Sequence, residues 1–278
     1  MYDPIQPQVA EQVVSVSAPI QEQANISTDG GSVLVRGEGW KEFNMSVFSQ
    51  VRVKPVTAKP AEGACDPQLI LCHHSYQVGL WDADQMGQHQ YLEGARRQVE
   101  RCRRLGSAND GAPWIHRITT TNYQDIVYSI DWAHARGRLN NVATPALAGG
   151  ARESAFGEGL PLALQWDQQQ VDRLWHGRVA EVVTALQTLD WEHITCLEDT
   201  RNSPTYFETR KAYMDYARLR QEGYPIGSGT VESGINTVVH HRMKRQGRGW
   251  KRTHAQAMMA ALGELHSERF LLAWQATC

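Results

Sequence analysis

Apolar and polar positions follow two different rhythms along this chain. The first third reads as strands. Gly31-Ser32-Val33-Leu34-Val35-Arg36 and Phe43-Asn44-Met45-Ser46-Val47-Phe48-Ser49-Gln50-Val51 are short apolar runs. Gly37-Glu38-Gly39 between them predicts a hairpin turn. A Pro/Gly/Ala-rich loop at 54–67 leads to a third strand-like run at 68–78. Three such runs with short connections predict an antiparallel meander. Residues 1–24, rich in Gln, Val, Pro and Ser, read as a tail or a single entering strand.

The rhythm then becomes helical. Residues 84–104 are polar, with apolar positions at Met86, Tyr91, Leu92, Ala95, Val99 and Cys102. A short strand at 105–109, a helix at 113–121 opened by Pro113, and a β-prone run at 126–130 follow, and from Trp132 the chain turns helical. The predicted order βββ-α-β-α-β-α describes an α/β protein, a mixed sheet flanked by helices. A Gly-rich break covers 149–161, and helical spacing returns at 165–189 and 206–221. No strand signal of any strength occurs from 140 to 224, so that stretch is expected to be all-helical. The expected organisation is a tail at 1–24, the first part of a core at 25–139, a helical segment at 140–224, and completion of the core at 225–278.

The chain has 278 residues, 41% hydrophobic and 21% charged, with a net charge of −2. This is the composition of a globular protein, and it excludes a uniformly basic nucleic-acid coat. Any affinity for nucleic acid has to come from local patches. Five scattered cysteines form no CxxC pair, which argues against a disulfide scaffold or structural zinc and fits a reducing cytoplasm. Adjacent strand residues point to opposite faces, so Cys72-His73-His74 reads as buried strand rather than as a ligand set. There is no signal peptide and no apolar run of membrane-spanning length.

Four acidic positions stand out. Asp29 is expected just before the first strand, and Asp110 and Asp131 at the ends of the fourth and fifth. Glu232 follows the glycine-rich turn Gly227-Ser228-Gly229 into a helix, and the basic residues Arg242, Lys244, Arg245, Arg248, Lys251 and Arg252 come after it. Carboxylates converging from several elements can hold two divalent ions about 3.5–4 Å apart, as metal-assisted phosphoryl transfer requires. Spacing of three puts Asp131 and His134 on one side of a helix start, which suits a structural hydrogen bond. Basic clusters neutralise phosphates without choosing a sequence. Trp166, Trp175 and Trp191 could stack on an unpaired base, but core packing is the expected role of each.

Five ordered segments carry a resemblance. They are Thr28-Asp29-Gly30-Gly31-Ser32-Val33 with Arg36-Gly37-Glu38-Gly39-Trp40-Lys41-Glu42; Asn109-Asp110-Gly111-Ala112-Pro113-Trp114-Ile115; Asp131-Trp132-Ala133-His134; Gly227-Ser228-Gly229-Thr230-Val231-Glu232; and the basic stretch 238–250. Together they resemble the Kra group of bacterial insertion-sequence transposases, distant relatives of the Mutator-like DDE transposases. The resemblance implies an RNase H-like core, with three antiparallel strands then two parallel ones, interrupted by an all-helical insertion before the last catalytic helix. It implies Asp29, Asp110 and Glu232 as the catalytic and metal-binding triad, with two Mg2+ or Mn2+ ions as cofactors. Asp131 and His134 would be accessory residues, and the six cations from Arg242 to Arg252 would contact DNA. The implied activity is DNA cleavage and strand transfer by a homo-oligomer on transposon ends and target DNA, in the bacterial cytoplasm at the nucleoid, with no membrane or small-molecule partner. With the first triad residue at position 29, the chain is expected to lack an N-terminal end-binding domain. A stand-alone RNase H-like nuclease and an inactive transposon-derived DNA-binding protein are the alternatives.

Overall fold

Strands β1 (Gln23–Val35) and β2 (Gly39–Val53) form a long antiparallel hairpin, with Ala24 opposite Gln50 and Val35 opposite Gly39. The structure is a computed structural model that describes residues 19–54, 66–147, 160–194 and 196–275. Gly37 and Gly39 flank the turn at φ values of 80° and 78°, a left-handed conformation that favours glycine. β3 (Leu69–Gly79) pairs antiparallel with β2, and β4 (Arg104–Asn109) pairs parallel with β1. With β5 (Val127–Ile130) the sheet has five strands, in the order β3-β2-β1-β4-β5. The result is an α/β protein whose mixed sheet is flanked by helices, compatible with an RNase H-like fold.

One sequence expectation needs correction. Asp29 lies inside β1, not before it. Gly30-Gly31 reads as a break, yet the strand runs through it. A Cβ on Gly31 would sit 2.5 Å from the Phe43 ring, so this glycine makes room for a core aromatic.

The chain divides into two compact units. Met1–Lys59, Gln68–Tyr128 and Ser228–Cys278 form the first; Pro60–Pro67 and Ser129–Gly227 form the second, which takes the last two residues of β5. In the first unit, α1 (Ala83–Arg96) starts with a capping box: Asp82 accepts from the Gln85 amide at 2.8 Å and Gln85 accepts from the Asp82 amide at 3.2 Å. α2 (Pro113–Asn122) has Pro113 in its first turn. The second unit contains α3 (Trp132–Leu147), α4 (Leu160–Trp175), α5 (Val179–Gln187), α6 (Glu198–Arg201), α7 (Ser203–Arg210) and α8 (Tyr216–Gln221). Its described residues after β5 hold no strand. The helical spacing at 165–189 splits into α4 and α5 around Gly177, at φ 73°. Most of the Gly-rich break at 149–161 lies outside the described residues. Back in the first unit, α9 (Gly229–Gly234), a π-helical turn (Ile235–His240) and α10 (His241–Met243) run on without interruption. α11 (Arg252–His266) and α12 (Phe270–Gln275) follow. No helix among the described residues is long and apolar enough to cross a membrane.

Strand alternation gives the sheet two different faces. On one, Val33, Val35, Phe43, Met45 and Val47 bury against Val231, Ile235, Val238, Val239 and Met243 of the α9–α10 rod and against Ala255 and Met259 of α11. On the other, Ala24, Ile26 and Phe48 pack with Ile20, Val99 and Tyr123. Each such large side chain contributes about 1.5–3 kcal/mol through burial. The second face turns polar towards the upper end of β1. Gln90 of α1 donates to Thr28 Oγ1 (3.1 Å) and Thr119 Oγ1 (3.3 Å), and Thr28 Oγ1 lies 2.6 Å from Ser46 Oγ.

A buried ionic network ties α11 and the loop after it to α1. Arg269 donates to Glu93 at 2.7 and 3.1 Å and to Glu264 at 3.0 Å from two nitrogens. Glu93 is wholly buried and Arg269 nearly so, so neither charge tolerates loss of its partner. Next to it, β3 carries a bulge: Gln50 pairs with Cys72 and Phe48 with Ser75, leaving Ser49 opposite both His73 and His74. Arg97 donates twice to the His73 carbonyl, each at 3.0 Å, and His74 Nδ1 lies 2.9 Å from Ser49 Oγ. Cys72 and His74 thus have separate strand partners, as a structural reading of the Cys72-His73-His74 run requires.

Candidate active site and nucleic-acid interface

The β1–β4 ladder runs from Gln23 opposite Arg104 to Ile26 opposite Ser107, a constant offset of 81 (104 − 23). Side chains of β4 then continue it. Ser107 Oγ donates to the Ile26 carbonyl at 2.7 Å, and Asn109 Oδ1 accepts from the Thr28 amide at 2.6 Å. Asn109 Nδ2 closes the set on Ser107 Oγ at 2.7 Å. One residue on, the same offset matches Asp29 with Asp110 (110 − 29 = 81). The backbone ladder ends before these residues, and Asp110 directly follows the last residue of β4. Asp110 then leaves the sheet: its Oδ1 accepts from the Ala112 amide at 2.8 Å, and Gly111, at φ 90°, turns the chain into α2.

Asp29 is the cross-strand partner of Met45, which belongs to the apolar face under α9. Glu232 sits on α9 between the buried Val231 and the buried Gly234, and is itself exposed. The helix lies very close to the sheet here. A Cβ on Gly234 would come within 3.0 Å of Tyr76, 3.2 Å of Met45 Sδ and 3.4 Å of Val47. Ser228 Oγ, just before the helix, donates to Glu232 Oε1 at 3.3 Å. The helix bearing Glu232 therefore packs on the face, and against the residue row, that Asp29 belongs to.

Asp131 and His134 belong to the second unit. Asp131 is 2% exposed; its Oδ1 accepts from the His134 amide at 2.7 Å and lies 3.1 Å from His134 Nδ1. The pair caps the start of α3, the hydrogen-bonded reading that its spacing favours. Nearby, the Trp132 ring meets Trp175 (4.9 Å) and Tyr216 (5.0 Å) edge-on, and the Arg220 guanidinium covers Trp175 at 3.5 Å. Trp191 Nε1 donates to the Leu186 carbonyl at 2.9 Å. Trp175 and Trp191 are thus engaged in packing within this unit.

The basic segment is a strap, not a helix face. Residues 244–251 cross from α10 to α11 over the tip of the β1–β2 hairpin. Trp250 donates its amide to the Leu34 carbonyl (2.9 Å) and accepts from the Arg36 amide (2.8 Å), forming a parallel bridge with Val35. Arg36 Nε donates to the Gly249 carbonyl at 2.7 Å, and Trp250 Nε1 to the Met243 carbonyl at 3.1 Å. Of the six cations, Arg252 is engaged by Glu38, with contacts of 2.6, 3.0 and 3.1 Å. Hydrogen bonding to Arg252 pulls the Glu38 carboxyl below its usual range. Arg242, Lys244, Arg245, Arg248 and Lys251 are exposed and, among the described residues, have no carboxylate within ion-pair distance.

Two clefts in the first unit lie apart from these residues. One of about 420 Å³ is lined by Asp84, Tyr91, Leu92 and Arg117, the other, of about 600 Å³, by Gln50, Arg52, Arg103 and Arg104. Neither is lined by Asp29, Asp110 or Glu232. In comparisons with known proteins, no protein-family model and no curated protein matches this chain. Sequence reasoning missed Asn109 as the residue that extends the β1–β4 pairing. Its signal was available: an amide side chain directly before Asp110 at the end of an apolar strand has to find partners when buried.

Proposed function

We propose that the chain is the catalytic core of a DDE transposase, an enzyme that cleaves DNA and joins its 3′ ends to new sites. In this reading the sheet and its helices are an RNase H-like core, and the helical segment at 140–224 is its insertion. The single observation that carries the reading is the side-chain extension of the β1–β4 register. It joins the ends of β1 and β4 beside Asp29 and Asp110, and the helix bearing Glu232 packs on the sheet face to which Asp29 belongs.

The donor types suit divalent ions: carboxylates are the hard oxygen ligands that Mg2+ and Mn2+ prefer. Bound by Asp29, Asp110 and Glu232, two such ions would activate the attacking oxygen and stabilise the leaving one. The protein's own part is positioning. In this reading β1 carries Asp29, the turn after β4 carries Asp110, Gly234 lets α9 approach, and Arg242, Lys244, Arg245, Arg248 and Lys251 hold the phosphate backbone. Asp131 and His134 brace the start of α3. The substrates are element ends and target DNA, acted on by a homo-oligomer.

Supercoiled plasmid with Mg2+ or Mn2+ tests the activity. Nicking by the wild type and its loss in Asp29→Asn, Asp110→Asn and Glu232→Gln support the reading, and full nicking by all three variants overturns it. A pre-cleaved 3′-hydroxyl end distinguishes a transposase, which joins it to target DNA, from a nuclease, which does not.

A further inference from the structure

The tip of the β1–β2 hairpin carries an aromatic ring that the fold leaves in solvent. Trp40 is 59% exposed, although Trp usually buries most of its surface. Its support is rigid. Trp40 lies opposite Leu34, whose carbonyl holds the Trp250 amide of the strap. Arg36 and Glu38, both in the turn, anchor the strap at Gly249 and the start of α11 at Arg252. Gly249 permits this flush seating, because a Cβ there would meet Arg36 Cγ at 3.1 Å. The strap brings Lys244 Nζ to 5.6 Å from the Trp40 ring centroid, within cation–π range. An exposed indole on a fixed hairpin, edged by a cation in a basic strap, is the arrangement that receives a nucleic-acid base: the ring stacks and the cations hold the adjoining phosphates.

We propose that Trp40 and Lys244 form a stacking seat for an unpaired base of single-stranded DNA. The seat lies at the tip of the β1–β2 hairpin, on β1's partner strand, opposite Leu34. Resting on the function proposed above, this assigns the substrate an unpaired nucleotide held at the hairpin tip. A fully paired duplex would leave the ring without a partner.

The test uses the full chain without divalent ion, so that no cleavage enters. Fluorescence anisotropy compares a labelled oligothymidylate of about 16 nucleotides, the upper end of single-strand site sizes, with an abasic strand of equal length. The wild type is expected to bind the base-bearing strand about 5- to 100-fold more tightly, as one stacked base gives. Trp40→Ala should lose that preference, Trp40→Phe should retain most of it, and Lys244→Gln should weaken binding of both strands. Circular dichroism melting checks that Trp40→Ala is folded, as an exposed position allows. A wild type without preference for bases, or an undiminished preference in folded Trp40→Ala, overturns the proposal. Nicking in Mg2+ is read separately: a chain that prefers bases but does not nick sinks the transposase reading and keeps the seat. One that nicks without preferring bases sinks the seat alone.

Discussion

Replacing Asn109 with alanine probes the clamp that joins the ends of β1 and β4. Asn109 is wholly buried and makes two short hydrogen bonds, one from the Thr28 amide and one to Ser107 Oγ. Thr28 is 1% exposed, so its amide would lose its acceptor where water cannot replace it. An unsatisfied buried donor costs about 1–3 kcal/mol, and the second bond contributes about 0.5–1.5 kcal/mol. Asn109→Ala is therefore expected to destabilise the sheet-bearing unit by about 2–4 kcal/mol, read as a shift in its denaturant midpoint at unchanged m-value. Asn109→Asp keeps the acceptor for Thr28 but gives up the donor to Ser107, and sets a negative charge beside Asp110. Burying that unpaired charge should cost at least as much stability as alanine and change the divalent-ion requirement for nicking more. The reasoning is refuted if Asn109→Ala costs under about 0.5 kcal/mol, the level of an ordinary surface substitution.

Two further outcomes follow from packing and charge. Gly234→Val places carbon atoms against Tyr76 and Met45, and overpacking of this kind costs about 1–3 kcal/mol. Lifting α9 should also lower nicking more than tenfold, since Glu232 rides on it, and unchanged nicking in a folded variant would detach Glu232 from this packing. Burial opposes the charge on Glu264, but hydrogen bonds and positive charge from Arg269 and Arg96 outweigh it, so its carboxyl titrates below its ordinary value of 4.5. Its contribution to stability is complete above that value and is lost as pH falls through the lower folded-state value. Glu264→Gln should flatten the acid limb of the stability profile below pH 4.5, and an identical acid limb in the variant would contradict the pairing.

Much of the sheet was legible because its strands are amphipathic or apolar and its turns are marked by glycine. The hairpin at Gly37-Glu38-Gly39, the strand after Cys102 and the helix at Pro113 all lie within a few residues of expectation. Asp29 was misplaced because Gly30-Gly31 mimics a break; the Phe43 ring explains Gly31, and the Glu42 side chain crowds Gly30. The bulge at His73-His74 was invisible for a similar reason, since it depends on Arg97 reaching back from the end of α1. At the site, the Asp131–His134 pair could be read from spacing alone. The basic run could be read as charge, but not as a strap: Arg252 is engaged by Glu38, which is 214 residues earlier. Trp40 stands in the polar run Gly37-Glu38-Gly39-Trp40-Lys41-Glu42, but that Lys244 comes to its ring is a property of the fold that its neighbours do not announce.

The central claim is that Asp29, Asp110 and Glu232 hold divalent ions in common, and iron-directed cleavage tests it most directly. With Fe2+ in place of Mg2+ and ascorbate present, hydroxyl radicals cut the backbone beside bound ions. The account predicts cuts near residues 29, 110 and 232 together, suppressed by excess Mg2+ and lost at all three positions in Asp110→Asn. Cuts confined to other segments, or a pattern that Asp110→Asn leaves unchanged, would contradict it.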